Sequence, residues 1–101
     1  MDLVVEDLED MMKVIEALSS ITRVNILRML YEEELSVTEL SEKLRLSKGT
    51  VSTHVSVLES AGLVESVYVP GVKGVKKVIR PKVERVIIVL KPSGGLEEAY
   101  E

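Results

Sequence analysis

Among the hydrogen-bonding side chains in the first ten positions of the segment SKGTVSTHVSVLESAGLV, residues 47–64, five are candidates to meet nucleic acid: Ser47, Lys48, Ser52, Thr53 and Ser56. None is a strong nucleophile or a soft-metal ligand. Their chemistry suits base edges and phosphates. Lys48 can donate to a guanine edge or a phosphate, Ser52 and Thr53 can donate or accept at base edges, and the Thr53 methyl can meet a thymine methyl. If a helix starts at Ser47, its first-turn amides add a site for a phosphate. A solvated helix face would carry the same hydroxyls. What favours nucleic acid is a second cationic group, Lys73, Lys76, Lys77 and Arg80, placed to reach phosphates or the minor groove.

Catalysis finds little support. There is no cysteine, which removes disulfides, thiolate nucleophiles and Cys-ligated zinc or iron–sulfur sites. His54 is the only histidine, and one histidine does not make a transition-metal site. It is expected to pack or hydrogen-bond at the edge of its helix. No Gly-rich phosphate loop occurs, and Glu32, Glu33 and Glu34 read as a solvated connection. No metal and no cofactor are expected.

The elements that must position these residues have to come from one small domain of 101 residues. Hydrophobic residues make up 46% of it and aromatics 3%, so Val, Ile and Leu must fill the core. No apolar run approaches the ~20 residues of a membrane span, and the N-terminus lacks the shape of a signal peptide. The expectation is a soluble cytoplasmic protein. The absence of Cys and Trp, with 30% charged residues, fits the habits of a thermophile.

Net charge is −4, but it is unevenly spread. Residues 1–42 carry 11 acidic and 3 basic side chains, residues 43–91 carry 3 and 10, and residues 92–101 carry 3 and none. The half that holds both candidate groups is therefore basic, and an anionic polymer responds to the local field.

Val4, Leu8, Met11, Ile15 and Leu18 are spaced 4, 3, 4, 3, which predicts a helix over 1–18 with a coiled-coil-like seam. Such a seam calls for a partner helix, so Leu8, Met11, Ile15 and Leu18 are the expected dimer interface. A second helix is expected over roughly Ser20 to Tyr31. Ser36-Val37-Thr38-Glu39 has the form of a capping box and starts a third, with Val37, Leu40 and Leu44 facing inward. Ser47 caps a fourth, which Gly62 ends. Its inward positions are Val51, Val55 and Leu58, with Val57 alongside. The period then changes to two. Leu63 to Val69 and Val75 to Arg80 read as a hairpin around a turn at 70–74. Val83 to Leu90 reads as an additional strand, whose core, Val86 to Leu90, is apolar on both faces. It is expected either to extend the sheet or to pair with its twin in a dimer. A last short helix is conceivable over Leu96 to Glu101.

The segment 47–64 resembles the recognition-helix signature of the ArsR/SmtB family of winged-helix repressors, roughly S-x-x-x-V-S-x-H-L-x-x-L-x-x-A-G-L-V. Ser47, Val51, Ser52, His54, Leu58, Ala61, Gly62, Leu63 and Val64 match, with Val55 in place of the usual Leu. Upstream, SSITRVNILRML is similar to the family's DPTRLRILRLL, with Thr22, Arg23, Ile26, Leu27 and Leu30 in step. The likeness covers about residues 15–80. It implies a homodimeric DNA-binding regulator, expected to repress, whose matched positions Ser47, Lys48, Ser52 and Thr53 meet DNA. One departure concerns metal. The family's E-L-C-V-C-D-L box reads ELSVTEL here, with Ser36 and Thr38 at the cysteine positions, so this is expected to be a member without metal.

The fold expected is therefore mainly α with a small β-hairpin, α+β, a single winged helix–turn–helix domain over 1–101. Within it, 1–18 would dimerise, 36–61 form the helix–turn–helix, 63–80 the wing, and 83–90 an additional strand. The expected partners are double-stranded DNA and a second copy of the chain, with no membrane. The alternative is a winged-helix protein–protein module of a transcription or chromatin assembly, suggested by the overall negative charge and the apolar strand.

Overall fold

The computed structural model describes residues 1–91. The expectation of a helix over Leu96 to Glu101 lies outside the described residues. The chain runs β1 (Asp2–Val5), α1 (Leu8–Leu18), α2 (Ile21–Glu32), α3 (Val37–Leu44), α4 (Lys48–Ser60), β2 (Val64–Gly71), β3 (Gly74–Pro81) and β4 (Arg85–Ile88). Four helices and an antiparallel hairpin make an α+β winged helix–turn–helix.

The helix starts follow local chemistry. Asp7, Ser20, Ser36 and Ser47 each occupy an N-cap and accept a hydrogen bond from the backbone N–H three residues on. Ser36 and Glu39 form the complete capping box: the Glu39 amide donates to Ser36 Oγ at 3.1 Å and the Ser36 amide to Glu39 Oε1 at 2.9 Å. Between α3 and α4, Arg45 takes the left-handed conformation at φ 58°, an unusual place for a bulky residue. After α4 the same role falls to Gly62, at φ 77°.

The core is aliphatic. Ile26, Leu35, Leu40, Leu58, Leu63 and Ile79 are its largest fully buried side chains. Ala17 and Val14 bring α1 onto it, and Val51 and Val55 bring α4. The hairpin is held to this body through Leu35, whose carbonyl accepts from the Ile79 amide at 2.9 Å. The turn between β2 and β3 is tighter than expected. Gly71 pairs with Gly74, so only Val72 and Lys73 form the tip. Gly74, at φ 96°, supplies the left-handed residue that closes it.

Three expectations are corrected. Residues 2–5 are a strand and not the first turn of a helix; β-branched Val4 and Val5 join a parallel ladder with β4, Asp2 pairing with Arg85 and Val5 with Ile88. The Arg85 guanidinium grips both oxygens of Asp2, at 3.0 and 2.6 Å. β4 therefore does not extend the hairpin; with β1 it forms a separate two-stranded sheet, and Ile87 and Ile88 stay partly exposed. Lastly, Met11 is not a seam residue. It is 9% exposed and packs into the chain's own core, while Met12 stands out at 57%. The helix turns 100° per residue, so the stripe starting at Leu8 continues through Met12 and Ile15 once Val14 and Ala17 point inward.

Candidate nucleic-acid interface

α3 and α4 form the helix pair, with α4 second. Val51, Val55 and Leu58 bury its inner face completely or nearly so. The opposite face keeps Lys48, Gly49, Ser52, Thr53 and Ser56 in solvent. Lys48 apart, this face is short-chained, so a groove floor could approach the helix backbone closely. Its hydroxyls are not all free to act alike. The Ser47 hydroxyl accepts from the Thr50 amide at 3.1 Å and donates to Thr50 Oγ1 at 2.9 Å, so it serves the helix first. Thr53 Oγ1 donates to the Gly49 carbonyl at 3.0 Å, leaving its lone pairs and methyl facing outward. The Ser52 and Ser56 hydroxyls make no hydrogen bond to another side chain or to the backbone among the described residues.

The first turn of α4 contains no acidic residue, so its positive pole stays available to an anion. Lys48 has no acidic partner among the described residues.

Three of the four wing cations divide between two faces of the hairpin, and Lys73 sits at its tip. Lys76 and Arg80 lie on one side with Val78; Lys77 is on the other, opposite Tyr68, which is 70% exposed. Lys76 Nζ meets Glu39 Oε1 at 2.9 Å, and Arg80 Nε meets Glu34 Oε2 at 2.6 Å. These two pairs tie the wing to the start of α3. They are half-exposed and worth about 0–1 kcal/mol each, so a phosphate can replace the carboxylate. Lys73 and Lys77 carry no such partner among the described residues. Glu39 is held below the usual carboxylate range, first by the Ser36 amide and then by Lys76.

The two positions at which the resembled family carries its metal-box cysteines are used otherwise here. Ser36 is the cap, and Thr38 is exposed on the outer side of α3. Among the described residues, no three His, Asp or Glu side chains gather into a group that could hold a metal.

Two features of this region carry no expectation from the sequence. Arg45 stands exposed in the turn before Ser47 and Lys48. Arg23 reaches from α2 to His54 on α4, and Nη1 and Nδ1 are 3.1 Å apart. His54 is thus hydrogen-bonded at the helix edge, as expected. The signal that could have pointed to Arg23 is the lack of any basic residue in the last turn of α1, a helix end that favours a cation.

Residues 20–66 match the family described as "Bacterial regulatory protein, arsR family". The chain belongs to the ArsR family. An uncharacterized HTH-type transcriptional regulator of Methanocaldococcus jannaschii is 44% identical over 57 residues, 56% of this chain and 60% of that protein. The transcriptional activator HlyU of Vibrio cholerae is 42% identical over 52 residues, 52% of this chain and 48% of that protein. The chain thus spans 60% and 48% of the length of these two relatives. The solved structure of HlyU from Vibrio cholerae superposes with a TM-score of 0.58 at 32% identity, covering 72% of this chain and 75% of that one. An ArsR-like transcriptional regulator from Rhodococcus sp. RHA1 superposes with a TM-score of 0.65 at 32% identity, covering 72% and 63%. The ArsR fold so shown extends through the helix–turn–helix. Among the described residues, no helix is long and apolar enough to cross a membrane.

Proposed function

We propose that this ArsR-family chain is a transcriptional regulator that binds double-stranded DNA as a homodimer. α4 enters the major groove, and the wing lies along the flanking backbone. The observation that carries the reading is the face of α4. It is open, free of acid at its N-terminal turn, and built of Lys48, Ser52, Thr53 and Ser56 over a fully buried apolar floor. Lys48, Lys73 and Lys77 meet phosphates directly. Lys76 and Arg80 do so by exchanging Glu39 and Glu34 for them. Ser52, Thr53 and Ser56 face base edges. The dimer is formed through Leu8, Ile15 and Leu18, with Met12 in the place expected for Met11. Repression is the expected sense of regulation and belongs to this proposal; since one relative is named an activator, a promoter-reporter measurement decides the sign.

The test is selection of bound duplexes from a random pool by the purified protein, followed by titration against salt. Recovery of a pseudo-palindromic site is expected, with affinity falling steeply as salt rises. Absence of any duplex binding at low salt would overturn the reading. A second reading, a protein–protein module, is favoured by one observation: Ile87, Ile88 and Leu90 remain exposed at 42%, 39% and 81%. Stable capture of a protein partner with no retention on DNA would support it instead.

A further inference from the structure

Arg23, at the start of α2, joins three helices. Its Nε donates to the Ala17 carbonyl and its Nη2 to the Glu16 carbonyl, both at 2.9 Å, and Nη1 reaches His54 Nδ1 at 3.1 Å. A guanidinium only donates, so Nδ1 must be the acceptor. In this contact the ring N–H is therefore the one on Nε2. At the other end of the contact, the guanidinium supplies the positive charge that the last carbonyls of α1 favour. One side chain thus fixes the end of α1 against the middle of α4.

That contact lies beside the candidate base-reading residues. His54 follows Thr53 directly and lies two positions from both Ser52 and Ser56. Nearby, α1 and α4 are parted by an open groove of about 380 Å³ lined by Lys13, Glu16, Thr53, Ser56, Val57 and Ser60. The apolar contacts beneath α4, through Val51, Val55 and Leu58, are strong but non-directional. They hold the helix down without setting its rotation sharply. A hydrogen bond from a rigid, planar fork is directional.

We propose that Arg23 and His54 are positioning residues. They fix the rotation of α4 against α1, and so the direction in which Ser52, Thr53 and Ser56 face. Because α1 also carries the exposed apolar stripe, the same contact sets the angle between the DNA-reading helix and the surface offered to a second copy. The inference rests on the DNA-binding reading above.

His54→Asn, His54→Leu and Arg23→Lys are compared with the wild-type full chain for thermal stability, for affinity to a selected duplex and to a random duplex, and for salt slope. Asn places an amide oxygen close to the position of Nδ1; Leu fills the space without an acceptor. His54→Leu and Arg23→Lys should lose about tenfold on the selected duplex, the worth of one hydrogen bond. Both should keep wild-type affinity for the random duplex and an unchanged salt slope. His54→Asn should stay within about threefold of wild type, since it restores the acceptor. In ¹⁵N spectra of the free protein, His54 should show the Nε2–H tautomer. If His54→Leu does not fold, Arg23→Lys and the Asn rescue carry the comparison. Wild-type affinity in His54→Leu, or equal loss in His54→Asn, overturns the inference. So does equal loss on both duplexes with a shallower salt slope, which would make His54 a phosphate contact, and so does a proton on Nδ1. In each of these the wild type binds DNA. Failure of the wild type to bind any duplex would instead remove the DNA reading and the inference with it.

Discussion

Thr53 shows how one internal hydrogen bond narrows what a residue can read. Its hydroxyl proton goes to the Gly49 carbonyl at 3.0 Å, so the side chain faces outward as an acceptor beside a methyl group. It suits a base edge that donates, the amino group of adenine or cytosine, or a thymine methyl. Thr53→Ala should change base preference at one position of a selected site, by about 1–3 kcal/mol against the favoured base. Thr53→Val keeps the methyl and loses the acceptor, so competition assays on the two variants separate methyl contact from hydrogen bonding. Unchanged preference in both would remove Thr53 from the base-reading set. Arg45 poses the complementary question. The left-handed conformation at φ 58° costs an ordinary residue roughly 1–2 kcal/mol, and glycine nearly nothing. If the guanidinium is kept for a phosphate, Arg45→Gly should melt no lower than wild type while DNA affinity falls and the salt slope drops by about one phosphate. A lower melting temperature with unchanged binding would show the side chain serving the fold.

At the scale of elements, the start of α3 does two things at once. Glu39 closes the capping box and also pairs with Lys76 of β3, so one carboxylate fixes a helix end and holds the wing. Its folded pKa is depressed by the Ser36 amide first and Lys76 second. A depressed carboxylate contributes stability that is fully present above its unfolded value, about 4.3, and is lost as pH falls through the lower folded value. Thermal stability should therefore decline on acidification below about pH 4, and Glu39→Gln should flatten that limb while keeping the cap, since Gln also accepts from an N-cap amide. The same substitution frees Lys76, so binding to random duplex at low salt should tighten, as a filter-binding titration would show. An acid limb identical in wild type and variant would remove Glu39 as its source. The caps of α3 and α4 were legible in the sequence because each is settled within four residues: Ser36 and Glu39 are sufficient for one, Ser47 and Thr50 for the other; Asp7, the cap of α1, was hidden inside the helix expected over 1–18. β1 was not legible either. Its partner lies about 83 residues away in β4, and a ladder closed over that distance leaves no local spacing; Val4 fits a 4-3 helical stripe as well as it fits a strand.

At the scale of the whole molecule, α1 is apolar on two adjacent stripes, and the spacing alone did not say which the chain would keep. Met11, Val14 and Ala17 go to its own core. Leu8, Met12, Ile15 and Leu18 remain 46%, 57%, 43% and 37% exposed. Recognition of a two-fold site requires two α4 helices at a fixed spacing, and the exposed stripe is the surface proposed to set it. Ile15→Glu places a charge in that stripe without touching the core. Sedimentation equilibrium should then show a monomer, and the melting temperature, which for a dimer rises with protein concentration, should become independent of it. Met11→Ala should behave in the opposite way, losing about 2–5 kcal/mol of stability from a cavity in the core while the subunits still associate once folded. DNA binding reports the same division. A monomer holds a single half-site and loses the gain from tethering the second, so Ile15→Glu should bind with roughly half the wild-type salt slope, because it neutralises about half as many phosphates. A wild-type chain that is monomeric at micromolar concentration, or an Ile15→Glu variant that keeps the full slope, would place the two-fold contact on another surface, with the β1–β4 sheet and its exposed Val4 and Ile87 the next to test.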